Sequence, residues 1–195
     1  MLLFLTTFHV NAQLTPTPCD VTDANTYSLG SALYISSVST SGGILNIANA
    51  TNADAGAASL NDFTATQIVS GSPGTTISLT MVANDNYWQW TYISLDSEQD
   101  GFATATGNAD SATNYTNLGY GNHLQTWNMS FDIPNLPPGD YRLRIFQDYD
   151  AGWADYGWSS DGPCGTNGQT SIGEVEDYTL RIVEVPDCEI PTNLA

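Results

Sequence analysis

Lysine is absent from this sequence, and its cationic side chains are three arginines, Arg142, Arg144 and Arg181, set against 21 carboxylates. The formal net charge of -18 gives no basic footprint, which argues against nucleic acid and anionic membrane surfaces as partners. Histidine is almost as scarce. His9 lies in an apolar leader and His123 in a Gly/Asn-rich stretch without a nucleophile motif, so neither His- nor Lys-based catalysis has an obvious starting point. Paired carboxylates can in principle hydrolyse glycosides, but nothing here singles out an acid and a base. The expectation is that the chain is not an enzyme. The three cysteines, Cys19, Cys164 and Cys188, form no Cys-x-x-Cys pair, which argues against a zinc ribbon or a thioredoxin-type site. No apolar run is long enough to cross a bilayer, and no stretch keeps a helical period.

What is present describes a packed, exported β domain. Hydrophobic residues make up 41% of the chain, with ten Tyr and five Trp, a composition that buries a core rather than staying disordered. The 195 residues suit one domain with a leader and a tail. Residues 1–12 read as a signal peptide lacking the usual positive n-region, with Val10-Asn11-Ala12 as the cleavage site; a buried N-terminal strand is the alternative. Residues 13–18 form a Thr/Pro linker, residues 19–185 the domain, and residues 186–195 a linker into a further domain. Export places the chain outside the cell or on its surface, where two cysteines pair. Cys19 with Cys164 is the expected bridge, because Cys188 falls in the tail.

Short alternating runs separated by turn residues cover the domain: 33–38, 44–48, 63–69, 75–82, 88–93, 127–131, 141–145 and 173–183. About eight such strands with Gly/Pro/Asn turns predict an all-β, antiparallel sandwich of jelly-roll type, with a loop over 49–60. The last run, Gly173-Glu174-Val175-Glu176-Asp177-Tyr178-Thr179-Leu180, carries three carboxylates. By period-two alternation Glu174 and Glu176 share a face with Tyr178 and Leu180, whereas Asp177 shares one with Thr179 and Arg181. Arg142 and Arg144 lie on one face of their own strand. If the two strands are neighbours, Asp177 meets Arg142 or Arg144 as a register-setting ion pair. Glu174 and Glu176 point the other way, which makes a cation their expected partner.

A second acidic run supplies more oxygen. Asp96, Glu98 and Asp100 occupy positions 1, 3 and 5 before Gly101, the first half of a Ca²⁺ loop. Gly107 stands where an EF-hand needs a bidentate Glu, so this is not an EF-hand. Its ligands must be completed from elsewhere, and Glu174 and Glu176 are the expected donors, with Ca²⁺ the expected ion. The alternative is a solvated acidic turn. Between the strands at 141–145 and 173–183 lies a stretch rich in Asp148, Asp150, Trp153, Asp155, Tyr156 and Trp158. Aromatic faces rimmed with acids suit sugar binding, with Trp153, Tyr156, Trp158, Asp150 and Asp155 as the ligand-binding set. A lid folded over the sandwich end is the reading preferred for these aromatics, with sugar binding as its alternative.

Four segments together carry a resemblance: Asp96-Ser97-Glu98-Gln99-Asp100-Gly101, Pro138-Gly139-Asp140-Tyr141-Arg142-Leu143-Arg144, Pro163-Cys164, and Gly173 to Tyr178. In these the chain resembles the GEVED domain of secreted proteins from Bacteroidota-type bacteria. It departs in the loop, with Ser97 where an aromatic and Glu98 where Asn is common. The tail is similar to the opening of fibronectin type III modules. The resemblance implies a non-catalytic β-sandwich accessory module of a secreted or cell-surface multi-domain protein. The expected role, taken with the Ca²⁺ loop, is adhesion or substrate attachment, to a glycan or a surface protein.

Overall fold

The computed structural model describes residues 14, 19, 22–23, 34–51, 60–85, 89–102, 116–117, 123–149, 169–170 and 173–184. Among these there is no helix. The strands in chain order are β1 (Thr22–Asp23), β2 (Ile35–Ser41), β3 (Ala48–Ala50), β4 (Leu60–Asp62), β5 (Ile68–Gly71) and β6 (Thr76–Asp85). They continue as β7 (Gln89–Asp96), β8 (Thr116–Asn117), β9 (His123–Asp132), β10 (Gly139–Tyr149), β11 (Gln169–Thr170) and β12 (Gly173–Ile182). One sheet has the order β4-β12-β10-β7-β8, with β5 also paired to β12; the other runs β3-β2-β6-β9, and β1 and β11 form a separate parallel pair. The two large sheets make a β-sandwich, as the alternation predicts.

Its core follows from period-two patterning. In β6, Ile77, Leu79, Met81 and Ala83 are buried whereas Ser78 is exposed. From the facing sheet come Ile93 and Leu95 of β7, Tyr141, Leu143 and Ile145 of β10, and Tyr178, Leu180 and Ile182 of β12. The register aligns these rows: Ile93 and Glu176 both flank Ile145, and Leu95 and Tyr178 both flank Leu143. The turn into β10 is fixed by the Tyr141 hydroxyl, which donates to the Pro137 carbonyl at 2.8 Å.

Three expectations need correction. The run 63–69 is not one strand. Asp62 accepts from the Thr64 amide at 2.9 Å and hydroxyl at 2.6 Å, and Thr66 and Gln67 amides bond back to the Phe63 carbonyl, so a turn that opens Asx-type separates β4, which ends at Asp62, from β5, which begins only at Ile68. Both pieces run parallel to β12, so the sheet is mixed rather than purely antiparallel. The strand placed at 44–48 instead begins at Ala48, with Leu45 making an isolated bridge to Ser70. The expected loop over 49–60 is entered through β3 and left through β4.

Candidate functional site

β12 lies between β10 on one side and β4 and β5 on the other, so both edges of its acidic entry are paired. Alternation sends Asp177 outward and Glu174 and Glu176 inward toward the sandwich interior. All three are buried.

On the outer face, Asp177 is gripped by two arginines of the neighbouring strand. Arg144 Nε donates to Oδ1 at 2.7 Å and its Nη2 to Oδ2 at 2.9 Å, the fork geometry that guanidinium offers a carboxylate. Arg142 Nη1 adds a third bond to Oδ2 at 2.9 Å and lies 3.5 Å from Asp62. The expected ion pair is therefore present with both arginines, but it is not an exposed pair. Arg144 and Asp177 are both 0% exposed. Burial turns a marginal register contact into a group whose members cannot be removed singly without leaving an uncompensated charge.

The cover over this face comes from distant sequence. The carbonyl of Leu14 accepts from Arg142 Nη2 at 3.1 Å. The Cys19 carbonyl and Sγ lie 3.4 and 3.2 Å from Arg144 Nη1, and the Cys19 amide donates to the Gly101 carbonyl at 3.0 Å. Phe102, itself buried, puts its ring centroid 4.8 Å from the Arg144 guanidinium carbon, a cation–π contact. Arg142 Nε is buried without a partner, so Arg144 makes the more complete set of bonds to the shared acid. The third arginine, Arg181, forms a separate bidentate pair with Asp140 at 2.6 and 2.8 Å.

On the inner face the donors are neutral amides and hydroxyls. Glu174 accepts from the Ile35 backbone amide and from Asn61 Nδ2, the latter at 2.6 Å. Glu176 Oε2 accepts from the Tyr178 hydroxyl at 2.6 Å, and its Oε1 lies 3.4 Å from Thr51 Oγ1. Tyr178 Oη in turn accepts from Asn49 Nδ2 at 3.0 Å. Burial pushes the Glu176 carboxyl from the ordinary 4.5 up to about 8, against the lowering effect of the Tyr178 and Thr51 contacts and with the Glu174 charge adding to the rise. Burial, with the nearby Glu176, likewise raises the Tyr178 hydroxyl.

The expected Ca²⁺ ligand set is not brought together. Asp96 sits opposite Arg142 in the register of β7 and β10 and so belongs to the outer face, whereas Glu174 and Glu176 belong to the inner one. The sheet separates them. Asp96 spends one oxygen on the Asp100 amide at 3.0 Å and the other on the Gly101 amide at 2.8 Å, closing the turn through its own backbone. Gly101 adopts φ 74°, as do Gln99 and Phe102 at 56° and 65°, so the turn uses left-handed conformations that glycine tolerates best. Glu98 is exposed at its rim. Among the described residues no group of three or more His, Cys, Asp or Glu side chains is placed to hold a metal.

Other expected site residues lie outside the described residues: Asp150, Trp153, Asp155, Tyr156 and Trp158 of the aromatic stretch, Cys164 of the expected bridge, Cys188, the leader 1–12 and the tail 186–195. Several residues that complete the two clusters carry no sequence signal. Asp62, Phe102, Asn49, Thr51 and the Leu14 and Cys19 carbonyls reach them through tertiary contact alone. Asp140 could have been found, since the pairing that sets Arg142 opposite Thr179 also sets Asp140 opposite Arg181.

The sequence profile of the GEVED domain matches residues 62–181, more than half of the chain. The protein belongs to this family. The match begins at Asp62 and ends at Arg181, two members of the ion pairs described above. No curated protein matches the chain.

Proposed function

We propose that the protein is a non-catalytic accessory module of a secreted or cell-surface multi-domain protein, serving adhesion or substrate attachment. One observation carries this reading: the acidic signature on β12 is occupied in holding the sandwich together. Asp177 binds two buried arginines, and Glu176 and Tyr178 bond to each other and to β3 and its flank. A signature engaged in the scaffold leaves recognition to the connecting segments, which a rigid sandwich presents well. The stretch after β10 suits that role, with Trp153, Tyr156 and Trp158 among Asp150 and Asp155, and its chemistry favours a carbohydrate.

Two further parts of the reading rest on sequence. Export supports a Cys19–Cys164 disulfide, to be read by intact mass under non-reducing conditions. The spacing of Asp96, Glu98 and Asp100 supports Ca²⁺ on the 96–101 turn. Specific binding then raises Tm by linkage, and a chelator reverses the rise; an unchanged Tm at millimolar Ca²⁺ removes this part.

The function itself is tested by presenting the full chain to a panel of polysaccharides and surface proteins. The expected result is retention without turnover, with glycan binding lost in a Trp153→Ala, Trp158→Ala double variant whose Tm is unchanged. Turnover abolished by one carboxylate-to-amide change would replace the reading with an enzyme.

A further inference from the structure

The inner-face cluster fixes where its hydrogens are. Thr51 Oγ1 is 2.9 Å from the Ile35 carbonyl oxygen and 3.4 Å from Glu176 Oε1. A hydroxyl has one hydrogen, and a carbonyl can only accept. The shorter contact therefore takes the Thr51 hydrogen, and the contact to Glu176 is a hydrogen bond only when Glu176 supplies the proton. At the other oxygen the direction is equally constrained: Tyr178 Oη accepts from Asn49 Nδ2, which leaves its own hydrogen for Glu176 Oε2. A proton on Glu176 Oε1 makes these groups one directed chain, from the Asn49 amide through the Tyr178 hydroxyl, the Glu176 carboxyl and the Thr51 hydroxyl to the Ile35 carbonyl, in which each interior group donates once and accepts once.

We propose that Glu176 holds a proton in the folded protein and is the pin of a pH-sensitive clasp that fastens β12 to the β2–β3 hairpin. Two of the links cross from one sheet to the other, Asn49 to Tyr178 and Thr51 to Glu176. Asn49 belongs to β3, Thr51 follows it and is tied to β2 through its amide bond to the Ser36 carbonyl at 3.1 Å, and Ile35 opens β2. Glu174 completes the fastening as an acceptor, since the Ile35 amide and Asn61 Nδ2 both present hydrogens to it. Loss of the Glu176 proton to solvent breaks the bond to Thr51 and sets a second buried negative charge two residues from Glu174 on the same face.

Little around Glu176 could offset that charge. On β12 the titratable groups facing it are Glu174 and Tyr178. From β10 and β7 it meets Ile145 and, one strand on, Ile93. From β4 its register partner is Asn61; from β2, β3 and their flank it meets Ile35, Asn49 and Thr51. Among these described residues none is cationic, and the arginines that bind Asp177 are across the sheet. The carboxyl's rise to about 8 agrees with this arrangement.

The sign follows from linkage. Glu176 in the unfolded chain ionises near 4.5 and in the folded chain near 8. Between those values the native state binds more protons, so this group's stabilisation is complete below about 4.5, falls as pH rises, and changes no further above about 8. Thermal unfolding of the full chain and of Glu176→Gln, followed from pH 4 to pH 9, tests it. The amide keeps a donor for Thr51 and an acceptor for Tyr178 and cannot ionise. The expected result is a Tm difference, variant minus wild type, that grows in favour of the variant up to about pH 8 and then stays constant. Glu174→Gln, which removes the neighbouring charge, moves the end of that rise to lower pH. Protection of the Ile35 and Thr51 amides from hydrogen exchange should fall above pH 8 in the wild type and persist in Glu176→Gln. Parallel Tm profiles for the two chains overturn the proposal. If the variant does not fold, the Glu176 carboxyl carbon in wild-type NMR spectra decides it: a midpoint near 8 supports the clasp, and one near 4.5 overturns it.

Discussion

β12 buries acids on both of its faces, and the two faces stabilise them by opposite means. Outward, one carboxylate, Asp177, is shared between two guanidinium groups and sealed by Phe102 and the carbonyls of Leu14 and Cys19. Inward, Glu174 and Glu176 accept from amides and hydroxyls, and Glu176 keeps its proton. Burial penalises a charge in either place. The outer face offsets that penalty with opposite charge, at the cost of needing every member of the ion group at once. The inner face avoids the penalty by leaving one carboxyl neutral, at the cost of depending on pH. Adjacent positions of one strand, Glu176 and Asp177, thus hold the same functional group in two different states.

The same amide substitution on each face should separate these two solutions most widely. Asp177→Asn leaves Arg142 and Arg144 buried with their shared counter-charge gone, and breaking a buried pair in this way costs about 3–5 kcal/mol. For a domain of this size that is a fall of roughly 10 °C or more in Tm. Glu176→Gln at pH 7 puts a neutral group of similar shape and hydrogen-bonding capacity where the wild type must take up a proton to fold, so it should raise Tm rather than lower it. Paired melting curves at pH 7 measure both. Equal losses would mean that the two acids share one protonation state, and the contrast between the faces would disappear.

A smaller separation is expected from the two rings that flank the acidic strand. Phe102 lies against the Arg144 guanidinium, whereas Phe63 meets the Tyr178 ring at 5.7 Å between centroids. Leucine at either position keeps much of the apolar volume and removes the ring. Phe102→Leu should cost about 1–2 kcal/mol, since a desolvated cation loses its π partner. Phe63→Leu should cost about 0.5–1 kcal/mol, the value of an aromatic pair beyond its burial. Chemical denaturation resolves the two, and a reversed order would show that the ring over Arg144 acts by packing alone.

Much of this was legible in the sequence because a strand's period is short and rigid. Alternation alone assigns Asp177 to the arginine face and Glu174 and Glu176 to the tyrosine face, and the coordinates agree. The alternating runs also give the sandwich and most of its core rows. What alternation cannot give is which strands neighbour one another, or what lies above a face. Asp96 has an acidic spacing suited to a cation, but its register position beside Arg142 puts it across the sheet from the glutamates. The burial of the arginines depends on Leu14, Cys19 and Phe102, contacts separated by tens of residues or more. The Thr51–Ile35 bond that reveals the Glu176 proton involves no charged residue. The alternation over 63–69 conceals the turn that opens at Asp62 and delays β5 to Ile68.

Asp62 gives the mildest test of the outer face, because it is the member of the ion group nearest solvent. Its side chain is 39% exposed and its contact with Arg142 is 3.5 Å. Burial works to raise its carboxyl, but the Thr64 hydroxyl and amide together with Arg142 outweigh it, so the group ends below its ordinary 3.8. A lowered folded value means that Asp62 stabilises the protein above pH 3.8 and that the contribution is lost as pH falls through the folded value. This loss with falling pH is opposite in sign to the loss with rising pH, between about 4.5 and 8, assigned to Glu176. Asp62→Asn removes the charge and keeps a side-chain acceptor for Thr64. With solvent screening the expected cost at pH 7 is at most about 1 kcal/mol, smaller in high salt, and it should shrink as pH falls below 3.8. Melting curves at pH 7 and at pH 3, at two salt concentrations, measure it. A loss as large as that of Asp177→Asn would place Asp62 within the buried ion group rather than at its edge.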